Sequence, residues 1–568
     1  MPAEKYWTWM AIAAVLICSG PGPADGSPEK TPQEAGNMLR LRNLSLTPDQ
    51  DDRKTLLRLC ARELGVSGSR IREVFIRRRS IDARKKDRIH LVYTVDVELL
   101  QEEQYIQENK NAPLSPMERE YHLPTPNRMP EERPVIAGFG PAGMFAALSL
   151  AEAGLHPIVL ERGQDVDTRS QKVDAFRKGG TLDPECNVQF GEGGAGTFSD
   201  GKLNTGISGS SVSYVLRRIA DFGAGEAITW EAAPHVGTDV LKSVVRNIRT
   251  RILELGGDVR FGTKLTDLLI RGGVLAGVVC RNGESIESIP CTSLFLAIGH
   301  SARDTMEMLH RRQLPMEPKA FSMGVRIEHL QRDLDRMQYG SYAGLKSLGA
   351  APYKLAVHLP DGCSVYTFCM CPGGYVVAAA SEEGGVVTNG MSYSGRAGIN
   401  GNSALLASLS PEQFPCPGPL GGVFWQRELE KKAFEAAGKN YFAPSQLLRD
   451  FACGMPSSRP GRIQPTYEPG VEWGDLHDYL PGVITDPICR ALPLLERKLP
   501  GFADQEAVFT GPETRSSSPV RLLRSTDLQS VGLKGLYPCG EGAGWAGGIV
   551  SAAVDALRCC EAYLNTLL

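Results

Sequence analysis

The sequence predicts an α/β protein in which a doubly wound parallel sheet is interrupted by an inserted α+β domain and preceded by a small βαββ module. Two observations carry that prediction. Val135-Ile-Ala-Gly-Phe-Gly-Pro-Ala-Gly143 joins an apolar strand to an alanine-rich helix through a glycine turn, and a second strand follows at Ile158-Val-Leu-Glu161. A second strand-to-glycine-to-helix unit, Gly535 to Leu557, lies far downstream, with mixed strands and turns between the two. The 568 residues exceed one ordinary core and imply about two to four domains. Hydrophobic content of 42% and charged content of 22% describe a globular chain. The formal charge of −3 is near neutral, so no bulk electrostatic attraction to nucleic acid or membrane follows from it.

Residues 1–37 read as a leader or an upstream extension of the gene model. Lys5 precedes the apolar stretch Trp7 to Cys18, followed by a Gly/Pro/Ser-rich segment to Lys30, which is signal-like but too short to span a membrane. Met38 opens a patterned strand of its own, which favours the extension and a cytoplasmic protein, with export or organelle targeting as the alternative. The βαββ module occupies 38–100. Leu39, Leu41, Leu44 and Leu46 alternate as a half-buried strand, and Asp51 and Asp52 can cap a helix carrying Leu56, Leu57, Cys60, Ala61 and Leu64, ended by Gly65. Val74 to Arg79 and Ile89 to Leu100 then read as strands. Between Arg70 and Arg88 stand nine Lys or Arg against three acids. Such a stretch meets RNA phosphates, forms a solvated face, or docks on the body; no aromatic platform accompanies it. A polar, proline-dotted linker runs through 101–133.

The segment 134–304 carries the first glycine unit. Gly138 makes the tight turn, Gly140 lets the backbone approach a pyrophosphate, and Gly143 allows close helix–strand packing. Pro141 and Ala142 start the helix, whose free N–H groups and positive dipole end face the phosphates. Glu161, eighteen residues beyond Gly143, can accept from ribose hydroxyls, and with Arg162 it closes the second strand. An acid there disfavours a 2′-phosphate, leaving FAD or NAD. Asn187 to Leu203 follows, holding five glycines between Gly191 and Gly201. Gly193, Gly194, Ala195, Gly196, Thr197, Ser199, Asp200 and Lys202 form a loop dense in N–H groups, suited to phosphate or a flavin edge. It lacks the GxxxxGK[ST] pattern of a Walker loop. Asp239 to Leu255 reads as an amphipathic helix, Val259 to Phe261 and Leu265 to Cys280 as strands, and Ser293 to Gly299 as an apolar strand returning to the ligand-bearing sheet. His300, Ser301 and Arg303 then stand at its carboxyl end, where open α/β sheets bind ligands.

Residues 305–510 read as the inserted substrate domain, with the apolar run Tyr375 to Ala380 and the polar cluster Ser457-Ser-Arg-Pro-Gly-Arg462, a loop or an anion site. The return, 511–568, carries Gly540, Glu541, Gly547, Gly548 and Ile549 ahead of the helix Val550 to Leu557. Glu541 can hold a sugar-alcohol hydroxyl, and the helix start can stabilise negative charge on a ring carbonyl. Two helix N-termini so far apart in sequence suit FAD better than NAD. The fourteen cysteines lack zinc-ligand spacing, so no metal is expected. Most read as buried thiols; Cys369 and Cys371 border a Pro-Gly-Gly turn and are the redox-active candidates.

The pairing of Gly138-x-Gly140-x-x-Gly143 and Glu161 with Gly540-Glu541-Gly542 resembles two-dinucleotide-fold flavoproteins of the glutathione-reductase-like class. More narrowly, Asn187 to Leu203, Ala297 to Asp304, Thr514 to Arg521 and Leu536 to Ala553 resemble the bacterial and plastid family of uncharacterised FAD-dependent dehydrogenases, whose members begin with a ferredoxin-like module matching Met38 to Leu100. The resemblance implies an FAD-binding Rossmann-like domain, bound FAD and oxidoreductase activity, and supplies no substrate. Two features depart from the broader class. No second GxGxxG lies downstream, and the flavin-adjacent CxxxxC dithiol is missing, Cys186 standing alone.

The expected function is therefore hydride exchange between flavin N5 and an organic small molecule, with transient NAD(P)H, a partner or the substrate as electron source. His300, Arg303, Arg515 and Arg521 are the candidates for polarising substrate or moving a proton, His300 first because an imidazole titrates near neutrality. Two other classes compete: an RNA-associated flavoprotein using the basic module, and a flavin-bearing scaffold without turnover. The oligomeric state is open.

Overall fold

The computed structural model describes residues 38–116 and 119–568, so the leader at 1–37 lies outside the described residues. The first module is a three-stranded antiparallel sheet of Leu39–Leu46, His90–Leu99 and Ile71–Asp82, with His90–Leu99 central. The helix Arg53–Leu64 begins where Asp52 accepts from the Thr55 N–H at 2.9 Å and ends at Gly65, φ 66°. Its apolar stripe packs on the sheet, and Tyr339, Leu348 and Ala351 from the later chain complete this core.

The basic stretch docks on the body. Arg79 donates to Glu231 at 2.7 Å, to Asp51 at 2.8 Å and to the Ser347 carbonyl at 2.8 Å, while Arg77 donates to the buried Asp96 at 2.6 Å. The linker is not wholly irregular: Glu102–Glu108 is a short helix with two acids in its first turn, a run too brief to show in the apolar pattern.

Five short strands form the parallel sheet, in the order Leu536–Pro538, Leu294–Leu296, Val135–Ala137, Ile158–Leu160, Asp258–Arg260. From Val135–Ala137 the chain first builds outward on one side and only later on the other. The strand order thus reverses beside this strand, which opens a crevice at its carboxyl end. The helix Pro141–Glu152 is buried nearly all round, against the sheet and against the helix Ile549–Asn565. Ala142, Ala146 and Ala147 face a small-residue helix with Ala552, Ala553 and Ala556, so the two backbones approach closely. Gly143 is obligatory, because a Cβ there would lie 1.9 Å from the Gly138 carbonyl oxygen.

Three antiparallel strands, Thr263–Arg271, Val274–Asn282 and Ser285–Pro290, make a side sheet. The third is absent from the sequence reading because its side chains are mostly exposed and show no apolar alternation. The largest sheet has seven strands in the order Ala356–His358, Ser364–Cys371, Asn400–Leu409, Phe321–Leu330, Val508–Glu513, Ala443–Leu447, Val471–Trp473. Phe321–Leu330 is buried along its whole length. Its strand Val508–Glu513 runs across residue 510, and the sheet's main core includes the helices Gly421–Ala436 and Gly482–Lys498. No helix among the described residues is long and apolar enough to cross a membrane.

Candidate functional site

A cleft of ≈ 650 Å³ runs between the carboxyl end of the parallel sheet and one face of the seven-stranded sheet, within the range of about 300–1,000 Å³ typical of ligand pockets. One end is the first glycine turn. Gly138 takes φ 97°, and a Cβ on it would lie 2.4 Å from the Ala297 carbonyl oxygen. A Cβ on Gly140 would make only ordinary contact, 3.5 Å from Gly194, so the turn leaves space over the start of the helix. Pro141 occupies the first helical turn and Gly140 its cap, with no side chain bonding the free N–H groups. Ala142 lines the cleft beside them, and Gly143 lies behind as a packing residue.

Glu161 is buried and holds three backbone donors: Phe139 N–H at 2.8 Å, Gly163 N–H at 2.9 Å and Gly191 N–H at 3.0 Å. A carboxylate offers about four acceptor sites, so one remains toward the cleft that Glu161 lines. The carboxylate thus braces both glycine segments as well as facing a ligand. Arg162, also on the cleft, stacks 4.2 Å from the centre of Phe190 and pairs with Glu185 at 2.9 Å.

The Gly191–Lys202 loop is organised by a residue sequence reasoning missed. Arg169 is fully buried and donates to the carbonyls of Asn187, Val188, Gly191 and Glu192. A buried guanidinium with four carbonyl acceptors nails the loop down. No sequence spacing announces it, because its partners are backbone oxygens. Gly194, Ala195, Gly196, Ser199 and Lys202 line the cleft; Gly193, Thr197 and Asp200 do not. Gly193 instead donates to the Phe139 carbonyl at 2.8 Å, and a Cβ on it would strike Thr197 Oγ1. Asp200 is turned inward, bonded to Ser392 and to Arg396 at 2.8 Å, with Lys202 Nζ 3.1 Å away. These cations hold its carboxyl below the usual range despite burial. A ligand role for Asp200 is thereby replaced by one of anchoring the loop to the far sheet.

At the other end, Gly540 takes φ 74° and donates to Asp555 at 2.8 Å, and Glu541 lines the cleft with Gly547, Gly548 and Ile549. Ile549–Asn565 starts with Gly548 as its cap, which has no side chain to bond the helix N–H groups. A Cβ at Gly547 or Gly548 would meet nothing within 4 Å. Burial pushes the Glu541 carboxyl up to about 7; Lys319 opposes this and the nearby Cys369 adds to it.

Of the residues expected to polarise substrate, only two line the cleft, His300 and Arg515. Gly299, φ 70°, presents His300 at the strand end. The imidazole shares a hydrogen bond with Ser301 Oγ at 2.9 Å. Burial, then Arg515 and Arg303, push His300 down to about 3, so it is neutral at physiological pH and the expected titration near neutrality is corrected. Arg303 is buried away from the cleft, donating to Glu430 at 2.7 and 2.8 Å and to Glu382 at 2.7 Å. Arg515 donates to the same Glu430 at 2.7 and 3.0 Å. Glu430, invisible to sequence reasoning, thus clamps the parallel sheet to the helix Gly421–Ala436 and to the returning chain. Arg521 lies outside the cleft over Trp545, 5.1 Å from its ring centre, and pairs with Glu317 at 3.3 Å. In the Ser457–Arg462 loop, Arg462 bonds Asp333 at 2.7 Å and also Asp504, so its charge is already matched by carboxylates.

The fold thus sets one cleft at the carboxyl end of a parallel sheet, walled on its other side by the seven-stranded sheet. Residues 320–516 match the family model described as "FAD-dependent protein, C-terminal domain-like", and residues 38–98 match a domain of unknown function. The chain belongs to the same family as an "Uncharacterized protein" of Clostridium beijerinckii, 45% identical over 528 residues, 92% of this chain and 98% of the relative. Solved structures with similarity include a flavin-dependent brominase variant (TM-score 0.34, 12% identity, 76% of this chain and 80% of that one). A geranylgeranyl bacteriochlorophyll reductase-like protein from Thermoplasma acidophilum gives TM-score 0.33 at 13% identity, over 75% and 76% of the two chains. A flavocytochrome c3 fumarate reductase gives 0.30 at 10% identity, over 77% and 78%.

Proposed function

We propose that the cleft binds FAD and that the protein is an oxidoreductase acting on a small molecule held between the parallel sheet and the seven-stranded sheet. One observation carries this reading: a single cleft joins two helix N-termini that have no side-chain caps, each beside a carboxylate, Glu161 at one and Glu541 at the other. The residues fit the group. Gly140, Gly547 and Gly548 leave space where any larger side chain would intrude, and the free N–H groups suit the pyrophosphate and the electron-rich ring edge. The ADP half would be held by Gly138, Gly140, Pro141, Ala142 and Glu161. The remainder would lie along Gly194 to Lys202, Gly299, Glu541 and Gly547 to Ile549. In this reading the chain divides into the βαββ module, a glutathione-reductase-like nucleotide unit and the inserted substrate domain.

FAD, when bound, supplies two-electron redox chemistry. The chain's own residues do the rest. Glu541, raised to about 7, keeps a proton at its carboxyl near neutrality and releases it just above. His300 acts as a neutral hydrogen-bonding group, and Arg515 and Lys202 stand on the cleft wall as hydrogen-bond donors whose charges are balanced by Glu430 and Asp200. Tyr353, Phe368 and Met370 of the opposite wall exclude water from the substrate. NADH or NADPH as electron source belongs to the same proposal. The RNA reading is disfavoured, because Arg77 and Arg79 spend their charge on Asp96, Asp51 and Glu231.

The test is flavin content. Purified protein should be yellow and release FAD stoichiometrically on denaturation; colourless protein that takes up no added FAD overturns the reading. Anaerobic mixing with NADH or NADPH then separates an enzyme, whose flavin bleaches with a donor or a substrate, from a scaffold, whose flavin never does.

A further inference from the structure

We propose that Cys369 and Cys371 are a redox-active dithiol whose substrate is a disulfide, Cys369 being the attacking sulfur and Cys371 the resolving one. This names a substrate class for the cleft and rests on the FAD reading for its place in turnover, while the exchange step needs only the two thiols.

The geometry is specific. Strand Ser364–Cys371 pairs with Asn400–Leu409 in register up to Phe368 opposite Ala404, but Cys371 then stands opposite Asn402. One extra residue is therefore inserted in the cysteine strand, a bulge of the kind that re-aims a side chain. Cys369 occupies it with φ 44°, a conformation that L side chains other than Asn or Asp rarely adopt. The observed strain is placed at a thiol on the cleft wall. The bulge sets the two cysteines side by side, with Cys371 Sγ donating to the Cys369 carbonyl at 3.2 Å.

The two sulfurs differ in access. Cys369 is partly exposed, whereas Cys371 is fully buried. A Cβ added at Gly390 would lie 2.9 Å from Cys371 Sγ, and one at Gly374 would lie 2.9 Å from Cys371 Cβ. Two glycines thus form the seat of this side chain, and the reactive direction left to it is toward Cys369. They also differ in charge. The hydrogen bond from Cys371, then Lys202 on the same cleft and the buried Arg326, draw the Cys369 thiol below its ordinary range. Burial and the neighbouring sulfur push Cys371 well above it. Arg326 is itself fixed by Glu513 at 2.6 and 2.9 Å and donates to the Cys369 carbonyl at 2.9 Å. An accessible thiolate beside a protonated, shielded thiol is the arrangement exchange requires.

In the step, the Cys369 thiolate attacks one sulfur of RSSR′. A Cys369–S–S–R bond forms, the S–S bond of the substrate breaks, and R′S⁻ leaves and takes a proton from water, replacing the one Cys369 released. Cys371 then loses its proton, attacks Cys369 Sγ, and expels RS⁻, which takes up that proton. The substrate gains two electrons and two protons, and the protein carries one disulfide. A small dithiol returns it by the reverse exchange.

The full-length protein, as isolated and stripped of flavin, is treated with hydroxyethyl disulfide and mapped by digestion and mass spectrometry. Native protein should show an internal Cys369–Cys371 disulfide. Cys371→Ser should trap a hydroxyethylthio adduct at Cys369, and Cys369→Ser should leave Cys371 unmodified. Limited alkylation of native protein with iodoacetamide needs no variant and should label Cys369 before Cys371, with a pH midpoint below that of a free thiol. Absence of the trapped adduct, or labelling of Cys371 first, overturns the proposal. Flavin content measured on the same samples keeps the two readings apart: exchange without flavin binding defeats the FAD reading alone, and flavin binding without exchange defeats the dithiol alone.

Discussion

Glu161→Gln is the sharpest probe of the first glycine turn, because the carboxylate is held by three backbone N–H groups as well as facing the cleft. An amide keeps one oxygen. The better orientation keeps that oxygen toward Gly163 and Gly191 and turns the NH₂ against the Phe139 N–H. One charge-assisted hydrogen bond is lost, worth about 1.5–3 kcal/mol, and a buried donor is left unpaired at about 1–3 kcal/mol. The expected cost is thus about 2.5–6 kcal/mol, and it falls on the protein before any ligand arrives. Urea unfolding of the flavin-free variant should show it directly. FAD affinity, followed by flavin fluorescence, should fall by at least about tenfold, since each factor of ten is about 1.4 kcal/mol. A flavin-free variant as stable as the native protein would refute the bracing role, whatever happened to FAD.

Other outcomes follow from the same site. Glu541 has a folded value of about 7 against an ordinary 4.5, so its stabilising contribution is complete below 4.5 and is lost as pH rises through 7. The melting temperature of flavin-free protein should fall over that interval, and Glu541→Gln should remove this component. The His300 imidazole should show no titration by proton NMR between about pH 5 and 8, because its value is pushed down to about 3. Glu430→Gln leaves two buried guanidinium groups short of a counter-charge and should cost about 3–5 kcal/mol in denaturant unfolding. Arg79→Glu should loosen the βαββ module, read as faster proteolysis at residues 101–133, without altering retention on RNA columns.

What the sequence discloses is local. The strand, helix and strand around Gly138 to Glu161 show because turn glycines, apolar runs and an acid lie within one short stretch. The caps at Asp52 and Gly65 show for the same reason. The Ser285–Pro290 strand stays hidden because its exposed side chains carry no period. Arg169 and Glu430 stay hidden because their partners are carbonyl oxygens or residues far along the chain. His300 is visible as a residue type, but its proton affinity is set by burial and then by Arg515 and Arg303, which surround it only in the folded state. Asp200 looks like a ligand-facing acid in a glycine loop, and the tertiary positions of Ser392 and Arg396 turn it inward. The bulge at Cys369 depends on a register that no single strand specifies.

The parallel sheet has a consequence for synthesis on the ribosome. Leu294–Leu296 is flanked on one side by Leu536–Pro538, and Cys539 lies 243 residues beyond Leu296. At roughly 5–20 residues per second the strand waits on the order of ten to fifty seconds for its outer neighbour. During that time its edge stays unpaired and the small-residue face of Pro141–Glu152 lacks its covering helix, both hazards for a nascent chain. Messages that stop translation between residues 300 and 530 should therefore yield chaperone-bound or degraded fragments, not a shortened nucleotide-binding protein.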